Sequence, residues 1–192
     1  SIESSLDNWD DLGLREVSIS EFDVEPENTE LAKEIKESLF LNNSTHVVDL
    51  VFHLSGIPHN WKCWHSGTIE WHPTAARFSG AGISNRGVMF SYLADWEAPG
   101  RWGIEILTKA HRFILRPMEE LKMISLGSVQ IESIEIDDSL DKQFKPGLFL
   151  QTDAFLKSDT DRLCSLKNQM EHIGFYNEIS GYDFTNSSNN TA

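Results

Sequence analysis

Hydrophobic and polar positions change period three times along the chain. Leu14 to Phe22 alternates, with Val17, Ile19 and their neighbours two apart, which predicts a first strand. Asp23 to Glu30 is acidic and reads as a loop, after which Leu31, Ile35 and Leu39 recur at the spacing of a short helix. Ser44 and Thr45 offer N-caps for a second helix, in which Val47, Val48, Leu50, Val51 and Leu54 form a broad apolar face before Gly56 and Pro58 stop it.

From Lys62 to Ile136 the period becomes two. Strands are expected near 62–71, 76–82, 87–95, 102–108, 111–116, 121–126 and 129–136. Pro146 and Gly147 then open a helical pattern through Leu148, Leu150, Phe155 and Leu156, and Leu163, Leu166, Met170 and Ile173 carry another. Helices flanking a long run of strands predict an α+β fold, a large and mostly antiparallel sheet with helices on one face. Gly87 to Ala94 is apolar at nearly every position, so the second sheet face is expected to be covered by association, as a dimer or tetramer.

These limits divide the chain into a polar, acidic segment at 1–13, one domain at 14–183, and an Asn/Ser/Thr-rich tail at 184–192, both ends expected to be disordered. The length of 192 residues suits a single domain with a real core. The formal net charge is −14, from 30 acidic and 16 basic residues, and no Lys/Arg stripe interrupts it. Nucleic acid and acidic membranes are therefore excluded as partners. No apolar run is long enough to span a bilayer. Cys63 and Cys164 lack a CxxC context and read as reduced thiols of a cytoplasmic protein, in which the Asn-x-Ser/Thr sites carry no glycan.

Several segments could carry chemistry. Gly80-Ala81-Gly82-Ile83-Ser84-Asn85-Arg86-Gly87 imitates a dinucleotide fingerprint, but a strand pattern follows it where a helix N-terminus would be needed, so it reads as a turn. His65 and His72, each after a tryptophan, match no metal-ligand spacing. His46, Asp49 and His53 share a helical stripe, and His46, in the expected first turn, would be kept neutral by the dipole and could exchange a proton with a hydroxyl. The other reading of His46 is a capping or packing residue. Asp95-Trp96-Glu97-Ala98-Pro99-Gly100-Arg101-Trp102 combines indoles, carboxylates and a guanidinium in a turn, which suits either a polyhydroxylated ligand or the rim of a sheet.

Leu41-Asn42-Asn43-Ser44-Thr45-His46-Val47-Val48-Asp49-Leu50 resembles the D-x-G-x-H-x-x-D-L segment of the carboxy-terminal domain of the glucose-fructose oxidoreductase / inositol dehydrogenase / MocA (Gfo/Idh/MocA) family. The strands from Gly67, the 95–102 turn, His111 to Pro117 and Phe144 to Phe149 continue the resemblance, over about residues 14–180. It implies a substrate-binding and oligomerisation domain of an NAD(P)-dependent oxidoreductase acting on a sugar, inositol or sugar-derivative hydroxyl, with a homo-oligomer built through the sheet face. The family's Rossmann domain and its Glu-Lys-Pro lysine are absent from this chain, and Phe144-Lys145-Pro146 lies too late to replace the latter. NAD or NADP would bind the full-length enzyme, neither would bind this chain alone, and the chain alone would be inactive. His46 takes the place of the histidine at the reacting hydroxyl. Asn42, Trp96, Glu97 and Arg101 are the expected substrate contacts, and Asp49 is expected to be structural. Asn42 stands where an aspartate is usual and Ser44 where a glycine is usual, departures that favour the alternative of a non-catalytic binding or scaffolding protein.

Overall fold

The computed structural model describes residues 13–22 and 33–182. Of the segments expected to be disordered, 1–13 and 184–192, all but Gly13 lie outside the described residues, as do the acidic loop at 23–30 and Leu31. Eight strands form one sheet in the order β2-β3-β4-β1-β5-β6-β7-β8. They are β1 (Glu16–Phe22), β2 (Pro58–Ser66), β3 (Arg77–Ser84), β4 (Met89–Asp95), β5 (Gly103–Leu107), β6 (His111–Leu115), β7 (Leu121–Ser125) and β8 (Glu132–Ile134). The helices are α1 (Lys33–Glu37), α2 (Thr45–Ser55), α3 (Ser139–Gln143), α4 (Leu148–Leu156) and α5 (Leu166–Ser180). The expected α+β architecture is thus present.

β1 is inserted between β4, to which it runs parallel, and β5, to which it is antiparallel. All other neighbours are antiparallel. Val17 and Ile19 of β1, Phe90 and Tyr92 of β4, and Ile104 and Ile106 of β5 point to the helix side and are buried. There they meet Val47, Val48, Val51 and Phe52 of α2 and Phe175 and Ile179 of α5. The aromatic contacts are edge-on: Phe52 crosses Phe90 at 5.2 Å and 83° and Phe175 at 5.2 Å and 84°, an arrangement that aromatic quadrupoles favour. Among the described residues no helix is long and apolar enough to cross a membrane.

Two expectations are corrected. The strand expected at 62–71 runs instead from Pro58 to Ser66, because Pro58 sits on an edge strand, where a missing N–H is tolerated, and Gly67 turns the chain at φ 76°. Gly80 and Gly82 lie within β3 and not in the turn that follows it. A Cβ on Gly82 would stand 2.3 Å from the Asn60 carbonyl oxygen and 2.8 Å from the Phe90 ring, and one on Gly80 2.9 Å from Ile179. Both glycines admit close packing of neighbouring backbone and α5.

The N-cap expected at Ser44-Thr45 is also absent. A π-helical turn at Phe40–Ser44 runs directly into α2, Ser44 is itself helical (φ −65°, ψ −27°), and the Thr45 N–H reaches the Phe40 carbonyl in a five-residue step. His46 therefore does not sit in an unpaired first turn, and the dipole argument for its neutrality does not hold. The C-terminus of α2 is better defined: Gly56 N–H bonds the Phe52 carbonyl at 2.9 Å, and the Ser84 hydroxyl donates to the Ser55 carbonyl at 2.6 Å.

Candidate functional site

The carboxyl ends of the two parallel strands, the 95–102 turn and the π-helical turn converge on one carboxyl group. Glu21 follows Val17 and Ile19 on the inward face of β1 and is fully buried. Tyr92 O–H donates to its Oε2 at 2.5 Å, and Ser44 O–H and Trp102 Nε1–H donate to its Oε1 at 2.8 and 3.1 Å. The Trp96 N–H adds a weaker pull without closing a hydrogen bond. Burial pushes the Glu21 carboxyl above its ordinary value of 4.5, and the bonds from Tyr92, Ser44 and Trp102 oppose that shift. Burial, reinforced by the charge of Glu21, likewise drives the Tyr92 hydroxyl well upward.

A second polar chain fixes the other end of the π-helical turn. Phe40 N–H donates to the Tyr182 hydroxyl (3.2 Å), which donates to His72 Nε2 (2.7 Å), while His72 Nδ1 lies 3.1 Å from the Ala75 carbonyl. A carbonyl only accepts, so Nδ1 carries the proton. Burial pulls the His72 imidazole below its ordinary 6.5, against the effect of the Ala75 bond.

The helical segment presenting Asn42 and His46 is thus held at both ends. His46 is exposed on α2. Asn42 is exposed too, but its amide donates to the Ser38 hydroxyl at 2.9 Å and the Ile35 carbonyl at 3.4 Å, so its donors are engaged within its own helical segment. The expected ligand face of Trp96 is a correction: the indole is 3% exposed, stacked on Trp71 at 5.4 Å and 7°, and closed by Phe78 at 4.7 Å. Its buried ring area stabilises the core and leaves no face for a ligand. Glu97 is exposed and lies 3.8 Å from Arg77, which also approaches Asp95 at 3.7 Å, so it serves to brace the turn. Arg101 is exposed and has no ion pair among the described residues. The structure brings Trp102, from the same turn as Trp96, together with Ser44 through Glu21. Trp71, not Trp96, borders an open groove of about 270 Å³ shared with Lys33, Lys36 and Glu37.

The stripe of His46, Asp49 and His53 divides. Asp49 turns to His172 of α5, whose Nδ1 lies 3.1 Å from Asp49 Oδ1, whereas His46 makes no part of that arrangement. Cys63 is a half-buried thiol pushed up to about 12 by burial and by the nearby Glu178. Glu21 and Trp71 were missed by residue-type reasoning, although strand parity alone places Glu21 on the side of Val17 and Ile19.

This sheet, with β1 inserted between β4 and β5, shares its fold with part of several Gfo/Idh/MocA-type sugar oxidoreductases. A structure of UDP-N-acetylglucosamine 3-dehydrogenase GnnA from Acidithiobacillus ferrooxidans is 13% identical and superposes with a TM-score of 0.63, over 87% of this chain and 52% of that one. The WlbA dehydrogenase from Bordetella pertussis, in complex with NADH and UDP-GlcNAcA, gives 14% identity and a TM-score of 0.61 over 93% and 55%. Levoglucosan dehydrogenase in complex with NADH gives 15% and 0.53 over 66% and 40%. The chain thus spans about half the length of the GnnA and WlbA chains it matches. No family model and no curated protein matches its sequence.

Proposed function

We propose that this chain is the carboxy-terminal substrate-binding and oligomerisation domain of an NAD(P)-dependent oxidoreductase that acts on a hydroxyl of a sugar, inositol or sugar derivative. The observation that carries this reading is the likeness of nearly the whole chain to half of several sugar dehydrogenases. His46 handles the proton of the reacting hydroxyl, and Arg101 is a polar contact at the rim. Ser44, bonded to Glu21 two residues before His46, positions that histidine. The nicotinamide, when bound by a dinucleotide domain, supplies the hydride chemistry. Gly80 and Gly82 do not fit a pyrophosphate, because the space beside them is filled by Asn60, Phe90 and Ile179.

Isothermal titration of the chain with NAD is expected to show no specific binding, and a micromolar dissociation constant would overturn this division of labour. The coding sequence upstream of Ser1 is expected to contain an in-frame G-x-G-x-x-G βαβ unit. A stop codon there would favour the second reading, a non-catalytic binding or scaffolding protein. The engagement of the Asn42 amide with Ser38 and Ile35, where a carboxylate is usual, supports that second reading.

For assembly, the outer sheet face offers Trp64, Ile83, Met89 and Leu93, neighbours on β2, β3 and β4 and each 38–59% exposed. Serines interrupt this surface at Ser79 and Ser91, so it is less continuously apolar than the alternation of 87–94 implies. A homodimer or tetramer through this face would cover it. Light scattering at micromolar concentration is expected to give an oligomer that Leu93→Lys reduces to a monomer.

A further inference from the structure

Farther along α2 from His46, the helix, the β3–β4 turn and the segment leading into α5 enclose a cleft of about 570 Å³. That volume suits a small organic ligand. Its inner wall holds His172, 7% exposed and wedged against Phe52 at 5.2 Å and Tyr176 at 5.8 Å. The ring is oriented from one side only. Nδ1 faces Asp49 Oδ1 at 3.1 Å and the Tyr176 hydroxyl at 3.0 Å, and Gln169 Nε2–H donates to the second Asp49 oxygen. Because the Asp49 carboxylate only accepts, Nδ1 carries a proton, and Nε2 is the ring atom left to bond a ligand. No described residue bonds Nε2, and the imidazole borders the cleft.

Two guanidinium groups border the same cleft, Arg86 from the β3–β4 turn and Arg162 from the 3-10 turn at Thr160–Arg162. Both are exposed, and neither is in an ion pair among the described residues, in a chain whose net charge is −14. Arg77 and Arg112 of the sheet, by contrast, are each matched to carboxylates. Planar guanidinium forks suit phosphate or carboxylate oxygens. The exposed Asp161 and Glu171 also line the cleft, so a bare multivalent anion is poorly served, whereas hydroxyl groups can donate to these carboxylates and, being both donors and acceptors, can bond His172 Nε2.

We propose that this cleft is a binding site for a small polyhydroxylated anion of the sugar phosphate class, its anionic end on Arg86 and Arg162 and a hydroxyl on His172 Nε2. His46 does not line this cleft, and the proposal does not depend on the dehydrogenase reading, because every residue it invokes lies in this chain. The test is titration of the chain with glucose 6-phosphate, glucose and inorganic phosphate, followed by the His172 ring resonances in carbon–proton correlation spectra. Glucose 6-phosphate is expected to give a saturable shift at millimolar concentration, with glucose and inorganic phosphate at least about tenfold weaker. The double variant Arg86→Ala/Arg162→Ala, altered only at exposed side chains, is expected to keep the spectrum of a folded protein and lose the shift. Absence of a saturable shift, or an unchanged shift in the double variant, would overturn the site. Equal affinity for inorganic phosphate would overturn the assignment to a hydroxylated ligand. NAD titration is read separately, so failure here leaves the oxidoreductase reading standing.

Discussion

Glu21 and Asp49 are carboxylates of the same helix–sheet layer, yet they are provided for in opposite ways. Glu21 is sealed: three donors from three separate elements close on it, and none of its surface meets solvent. Asp49 is open: it holds an imidazole whose other nitrogen borders a cleft. The difference teaches that a buried, saturated carboxyl fixes geometry, whereas one that orients a half-saturated partner leaves bonding capacity for a ligand. Glu21 tells the helix where to lie, and Asp49 tells a histidine which way to face.

The comparison breaks most visibly at Glu21. Glu21→Ala strands the Tyr92, Ser44 and Trp102 donors in a cavity and is expected to cost about 3–5 kcal/mol in urea denaturation. A loss under ~1 kcal/mol would mean that the donors find water and that Glu21 does not organise the site. Glu21→Gln sharpens the electrostatic part. Because burial raises the folded carboxyl above its ordinary 4.5, the folded state holds the proton more tightly than the unfolded chain. The resulting stabilisation is complete below pH 4.5 and declines as pH rises through the folded value. Wild type is therefore expected to lose stability relative to Glu21→Gln on raising pH from that point, with no such divergence if the carboxyl titrates normally.

Asp49→Ala is expected to be milder, about 1–2 kcal/mol, since the half-open site lets water replace the lost acceptor, and to broaden the His172 ring resonances as the imidazole loses its orientation. The smallest effect belongs to His46→Gln, within about 0.5 kcal/mol of wild type in thermal melts because the side chain is exposed. In an enzyme that includes the dinucleotide domain, the same change is expected to lower kcat by about a hundredfold or more. A stability loss as large as that of Glu21→Ala would instead make His46 a packing residue.

Much of the fold was legible because it is local. The period-two runs located β3 to β7 to within a residue or two, and the apolar face of α2 was plain in Val47, Val48 and Val51. The start of α2 was not legible: Ser44 is a good N-cap by type, but its hydroxyl is spent on Glu21, a partner twenty-three positions away. The place of β1 depends on non-local pairing with Met89 to Asp95 and Gly103 to Leu107, which no window of sequence contains. At the site, composition gave Trp96 a ligand face because indoles suit sugars, and burial gave that ring to the core. Arg86 and Arg162 went unremarked because their meeting in one cleft is a product of the fold.

The insertion of β1 also sets an order of events during synthesis. Its seven residues leave the ribosome before either neighbouring strand exists, and both edges must wait until Asp95 and then Leu107 have emerged. Until then the strand is unpaired, with Val17 and Ile19 uncovered, the kind of non-local pairing that slows folding. A break within β1 would remove the strand that links β2-β3-β4 to β5-β6-β7-β8, leaving the core under α2 to hold the two halves together. The first strand of the sheet in chain order is thus paired on both edges only once β4 and β5 have been made.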